Sequence, residues 1–87
     1  MLPLEEIKNG NKVIGTKQVK KAIARGDARR VFIAGDAEPH VIEPIKELCA
    51  NYQVEVEVIE KMEILGKACG IEVGSAAVAL LNEPTIN

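Results

Sequence analysis

Gly15-Thr16-Lys17-Gln18-Val19-Lys20-Lys21-Ala22-Ile23-Ala24-Arg25 directly follows the β-branched pair Val13-Ile14. The change from that pair to helical spacing predicts a strand running straight into a helix. Thr16 is the expected N-cap, because its hydroxyl can accept from a backbone N–H that the first helical turn leaves unpaired. At about 100° per residue, Lys17, Lys20, Lys21 and Arg25 fall within one arc of roughly 140°, and Val19, Ala22 and Ile23 lie opposite. One face therefore packs into a core and the other offers cations. A helix N-terminus also presents free N–H groups and the positive end of the dipole, which together favour an anion. Two readings fit this face: a solvated helix surface, or a surface that grips a phosphate backbone.

Outward from this stretch, helices and strands alternate. Residues 3–10 read as a short helix with Leu4 and Ile7 inward, Pro3 near its start and Gly10 past its end. Gly26 is the expected stop of the basic helix. Residues 29–34 read as a strand, and its continuous apolar run from Val31 to Ala34 suits a central position covered on both faces. After the turn Gly35 to Pro39, the residues Val41, Ile42, Ile45, Leu48, Cys49 and Tyr52 share an arc of about 120°, an expected core face. Pro44 requires that helix to start near His40 or Val41 if it is to lie in the first turn. Residues 55–60 alternate, predicting a strand with one covered and one wet face. Residues 61–69 read as a helix with Met62, Leu65 and Cys69 inward, Gly66 allowing a close backbone approach and Gly70 ending it. A loop, 71–74, and a last strand, 75–81, whose alanines also allow a helix, complete the pattern, and 82–87 read as a loose tail. The expectation is one domain over residues 1–87, of α/β class: a three-layer α/β/α sandwich around a four-stranded mixed sheet.

Composition narrows the function. At 87 residues, 47% hydrophobic and 28% charged, the chain has ordinary globular content. It has no apolar run long enough to span a membrane and no basic-then-apolar leader, so a cytoplasmic location away from membranes is expected. Cys49 and Cys69 lack metal-ligand spacing and fall on apolar helix faces, which predicts buried free thiols. Net charge is −2, but residues 12–30 carry seven cations against Asp27 alone, whereas residues 31–87 carry three lysines against ten carboxylates. A basic end on an acidic body steers one surface toward a polyanion.

Enzyme chemistry has little to stand on. The chain has no P-loop, no dinucleotide fingerprint, no nucleophile elbow and a single histidine, so no catalytic residues, metal or cofactor are expected. Asp36 and Glu38, ahead of a helix, suit capping and the dipole. For nucleic acid, Phe32 and Tyr52 both fall on apolar faces, which argues against base stacking on a sheet. A helix N-terminus, clustered lysines and Gln18 remain, and an amide both donates and accepts, as a base edge requires. The loop Ile71-Glu72-Val73-Gly74 sets two branched apolar side chains beside glycines. It reads either as core packing or as an apolar platform for an extruded base.

Three segments carry a family resemblance. Gly15 to Ile23 resembles the G-x-N-E-x-x-K segment of the ribosomal-protein L-seven-Ae family of kink-turn RNA binders. Ile33-Ala34-Gly35-Asp36-Ala37-Glu38-Pro39 resembles its IAxDxxP turn, and Leu65 to Ala79 resembles its LGxAxG…AAVA segment. The compact length and the GTKQ and ACGIEVG forms are most similar to the small bacterial YbxF-type branch. The resemblance implies an α/β/α sandwich that binds kink-turns, RNA bends in which a bulge is flanked by tandem sheared G·A pairs. By position it makes Lys17, Gln18 and Lys21 the readers, with Gly15 and Thr16 allowing close approach. It makes Ile71, Glu72 and Val73 the cover over the bulge and places Asp36 and Glu38 at the family's acidic turn. Lys20, Lys21 and Arg25 would screen phosphates. Lys17 stands where the family has Asn, and Gln18 where it has Glu. A lysine cannot accept a hydrogen bond, which points Lys17 to a phosphate in place of a base. The implied protein is a non-catalytic monomer that stabilises kink-turns in ribosomal RNA or mRNA leaders, and a place on the ribosome is compatible with it. The alternative is a protein-interaction module of the same fold that uses its acidic body.

Overall fold

The computed structural model describes residues 3–82. Eight elements follow in order: α1 (Pro3–Asn9), β1 (Lys12–Ile14), α2 (Thr16–Ala24), β2 (Ala28–Ala34), α3 (Pro39–Tyr52), β3 (Glu55–Ile59), α4 (Met62–Ala68) and β4 (Ala77–Leu81). Residues 83–87 of the expected tail, and the expected core contact of Leu4, lie outside the described residues and side chains. Asn82 is tied down: its N–H donates to the Asp27 carbonyl at 2.8 Å and its Nδ2 to the Gly26 carbonyl at 3.0 Å.

The sheet order is β1-β4-β2-β3, with β2 and β3 parallel and the other two pairings antiparallel. It is the expected four-stranded mixed sheet, with α2 and α3 on one face and α1 and α4 on the other. The central strands are covered on both sides, so Val31, Phe32, Ile33 and Ala34 of β2 and Val78, Ala79 and Leu80 of β4 are fully buried. Ile23 and Ile45 close one face and Ile7 and Leu65 the other, all four without exposure. α1 is clamped to the sheet by charge. Arg30 donates to Glu6 at 2.8 Å and pairs with Glu55 at 3.3 Å, and the bond to Glu6 is the main cause of its raised pKa.

Several local expectations are corrected. α3 begins at Pro39, with Glu38 as N-cap, so Pro44 lies inside the helix beyond the first turn. It takes away the N–H that would bond the carbonyl of exposed His40, where water can substitute. Tyr52 is 49% exposed, not inward. A 14-residue helix is about 21 Å long and overhangs a five-residue strand of about 17 Å. The wheel fixes azimuth and is blind to this overhang. In β3, Val56 packs against the core as expected, but Val58 is 56% exposed and Glu57 half-buried, because β3 is the sheet's edge and its two faces are covered unevenly. β4 begins at Ala77, two residues later than the apolar pattern suggests.

Three helices end alike. Gly26 after α2 and Gly70 after α4 take φ of +77° and +80° and make the paired backbone bonds of a Schellman close. After α3 the same pair of bonds forms around Gln53, a side-chain-bearing residue at φ +57°. Its Cβ is strained against the following carbonyl. Gln53→Gly is expected to raise stability by about 0.5–1 kcal/mol, a few degrees in a thermal melt. A lower melting temperature would show that the Gln53 side chain outweighs the strain.

Both cysteines are free thiols, Cys49 buried and Cys69 half-buried. Burial pushes the Cys49 thiol up to about 11, and burial likewise raises Cys69. The folded state therefore holds the Cys49 proton more tightly than the unfolded state. The stability this contributes is complete below about pH 9 and is lost as pH rises toward about 11, by at most about 2–3 kcal/mol. Urea melts over that range should show the decline, and Cys49→Ala should reduce it, leaving the part due to Cys69. No helix among the described residues is long and apolar enough to cross a membrane.

Candidate nucleic-acid interface

The topology gathers four connections at one end of the sheet: β1 to α2, β2 to α3, β3 to α4, and α4 to β4. This is the end to which β1, β2 and β3 deliver the chain, so the N-termini of α2 and α3 point at it.

Gly15, not Thr16, is the N-cap of α2; Thr16 is the first helical residue and makes no capping bond. Gly15 adopts φ +104°, ψ 149°, a conformation closed to side-chain-bearing residues at low cost. Its N–H donates to the Ala77 carbonyl at 2.9 Å, and its carbonyl accepts from Val19 at 2.9 Å. These two bonds fix the turn from strand to helix with Gly15 in the capping position, one residue before Thr16. Nothing lies within 4 Å of where a Cβ would stand, so the backbone is open to a ligand.

The α2 faces match the wheel. Val19, Ala22 and Ile23 are buried, while Lys17, Gln18, Lys20, Lys21 and Arg25 are exposed. None of the four cations has an ion-pair partner among the described residues. They are not at one spot. Lys17 and Gln18 lie in the first turn beside Gly15 and Lys21 one turn on. Lys20 borders a cleft toward α3 with Pro44, Glu47, Leu48 and Asn51. Arg25 caps the C-terminal end, about 14 Å along the axis from the first turn. Arg29 and Arg30 contribute to the basic segment in sequence but sit at the opposite end of the sheet against Glu6. Exposed Tyr52 belongs to that far end too, since it leads into the start of β3, opposite Arg30.

The loop after α4 leads to the same end of the sheet, into β4, whose Ala77 carbonyl accepts the Gly15 N–H. Ile71 is half-buried, Glu72 exposed, and Val73 71% exposed, the most exposed large apolar side chain described. The loop is pressed onto α4. A Cβ on Gly66 would collide with the Val73 carbonyl, and one on Gly74 would stand 3.0 Å from the Met62 Cβ. Gly66 is the close approach its sequence position implied.

The acidic turn divides. Asp36 Oδ1 accepts the Met62 N–H at 2.8 Å, so it caps α4 and not the helix that follows it. Glu38 is the N-cap residue of α3 with no side-chain cap bond, and its Oε2 lies 3.2 Å from His40 Nδ1. Sequence reading missed Ser75, which is buried at 6% exposure. Its N–H donates to the Met62 carbonyl at 3.1 Å and its Oγ to the Ala77 carbonyl at 2.9 Å. No local signal separates such a serine from one at the start of a strand.

Comparison with known proteins agrees with this architecture. The chain is 44% identical over 72 residues to the RNA-binding protein YbxF of Geobacillus stearothermophilus, covering 83% of this chain and 88% of that one. It is 44% identical over 69 residues to an RNA-binding protein of Bacillus pumilus, covering 79% and 84%. The solved structure of the Giardia lamblia 15.5kD RNA binding protein superposes with a TM-score of 0.87 at 26% identity, over 92% of this chain and 71% of that one. The profile of the ribosomal protein L7Ae/L30e/S12e/Gadd45 family matches residues 4–86. With that match and these relatives, the chain belongs to the ribosomal protein L7Ae/L30e/S12e/Gadd45 family.

Proposed function

We propose that this protein is a single-domain, non-catalytic RNA-binding protein that acts as a monomer in the cytoplasm and stabilises kink-turns in ribosomal RNA or mRNA leaders. The observation that carries the reading is the two-sided site at one end of the sheet. On one side stand the open Gly15 backbone and the exposed Lys17, Gln18 and Lys21; on the other stands Val73, 71% exposed on a loop held by α4. The names of its bacterial relatives support RNA as the ligand.

In this reading Gly15 and Thr16 let an RNA strand approach the start of α2. Gln18 reads a base edge, Lys17 and Lys21 hold phosphates or base acceptors, and Lys20 and Arg25 continue the cationic track along the helix. Ile71, Glu72 and Val73 cover an extruded base, which an apolar surface accepts because every base has an apolar face. Glu38 borders the site from a third side, and Asp36 beside it is committed to the start of α4. The protein acts by population shift: it binds the bent conformer more tightly than the extended one and so draws the equilibrium toward the bend.

Titration of a kink-turn duplex and a straight duplex of equal length, at several salt concentrations, tests this. The kink-turn should bind at least about tenfold more tightly. Equal binding with a steep salt dependence would reduce the site to general polyanion affinity. No binding of either RNA would favour the protein-interaction alternative.

A further inference from the structure

We infer that Asp36 and Ser75 are positioning residues, which fix the two halves of the proposed RNA site relative to each other and do not themselves touch RNA. The inference rests on the RNA-binding reading above.

The start of α4 has no cap of its own. Its N-cap residue is Lys61, whose side chain has no acceptor, and Lys61 makes no side-chain cap bond. Asp36, 26 residues earlier in the chain, supplies the missing oxygen to Met62 at 2.8 Å. Met62 passes the connection on, its carbonyl accepting the Ser75 N–H at 3.1 Å. Ser75 Oγ then donates to the Ala77 carbonyl at 2.9 Å, and that same carbonyl accepts the Gly15 N–H at 2.9 Å. A continuous relay thus runs from the β2–α3 turn, through the first residue of α4 and the following loop, to the N-cap of α2. Packing reinforces it, because Gly74 lies against Met62 and the Val73 backbone against Gly66. Displacing the start of α4 therefore displaces the loop that carries Val73.

Phosphate affinity depends on the α2 cations, which the relay does not touch. Discrimination between bent and straight RNA depends on both halves being engaged at once, and so on their separation. A carboxylate beside a polyanion site is unfavourable by simple Coulomb repulsion, and the cap gives Asp36 a reason to be there.

The test uses the full chain, the kink-turn and straight duplexes, and amide hydrogen exchange on the free protein. Asp36→Ala should lower the bent-to-straight affinity ratio about tenfold through weaker kink-turn binding and speed exchange at Met62, with straight-duplex affinity no lower than wild type. Asp36→Asn keeps the acceptor oxygen and should restore the ratio to within about threefold. Ser75→Ala should lower the ratio about threefold. Met62→Pro removes the donor while leaving Asp36 intact, at a first helical position that proline tolerates, after a residue already extended. With Met62→Ala as the side-chain control, its loss should match that of Asp36→Ala, and the double variant should lose no more than either alone.

Loss of kink-turn affinity in Asp36→Ala with Met62 exchange unchanged would overturn the inference in favour of direct contact. Tighter binding of both RNAs would overturn it in favour of plain charge repulsion, and fully additive losses would overturn the relay. If the wild-type chain itself fails to discriminate, the RNA reading falls; if it discriminates and Asp36→Ala does so equally well, only this inference falls.

Discussion

Gly66→Ala is expected to lower the melting temperature by roughly 5–20 °C. Two effects oppose each other at this position. Alanine is the better helix former, by about 1 kcal/mol, and on that ground alone the substitution would stabilise α4. Against this, Gly66 is buried, and a Cβ there would collide with the Val73 carbonyl and crowd the Val73 carbonyl carbon at 3.0 Å and the Gly74 Cα at 3.1 Å. All three neighbours are backbone atoms, so no side-chain rotation relieves the clash. Either α4 shifts off the sheet, where Leu65 is fully buried, or the 71–74 loop moves. Overpacking of this kind costs about 2–4 kcal/mol, which exceeds the propensity gain, and each kcal/mol is worth about 4–8 °C in a domain of this size. A thermal melt decides the sign. A melting temperature equal to or above wild type would mean that the loop yields at no cost. In the folded fraction, kink-turn affinity should also fall, because Val73 is displaced with its backbone.

The second large effect is on RNA and leaves the fold intact. The double variant Gln18→Ala, Lys21→Ala should weaken kink-turn binding by about 100-fold or more, because a base-edge contact and a charged hydrogen bond are each worth about 1–3 kcal/mol. Both side chains are exposed and neither has a protein hydrogen-bond or ion-pair partner among the described residues. Alanine also keeps helix propensity, so the melting temperature should stay within about 2 °C of wild type. The single variants separate the roles. Lys21→Ala should reduce the salt slope by about one counterion, whereas Gln18→Ala should relax discrimination and leave the slope unchanged. Unfolding by either substitution would show that this face of α2 is structural.

The elements and their faces were legible because local periodicity encodes them. The spacing of Val19, Ala22 and Ile23 buries one side of α2, and the run Val31 to Ala34 reads directly as a strand covered twice. Apart from the starts of α3 and β4, the readings that failed involve something beyond the local helix or strand. Thr16 has the chemistry of a cap, but the bond from Gly15 to Ala77 sets the chain direction first. Tyr52 has the azimuth of a core residue, but α3 outruns the sheet beneath it. Val58 has the pattern of a covered position, but β3 is an edge. Asp36 has the position of a cap for α3 and serves α4. The basic segment looked continuous from Lys12 to Arg30, yet β2 carries Arg29 and Arg30 to the end of the molecule away from α2's first turn, where Glu6 pairs with them.

By itself, then, the sequence determined the α/β class, the number of helices and strands, the amphipathic α2 with its outward cations and, through three motifs, the family. Those properties depend on residues within a turn or two of one another. Only the tertiary structure decided the strand order β1-β4-β2-β3, which brings Ala77 beside Gly15 and Asp36 beside Met62. Those contacts join segments far apart in the chain. Their bonds form only once the sheet has closed and both sides of it are packed, so no local pattern of residues records them.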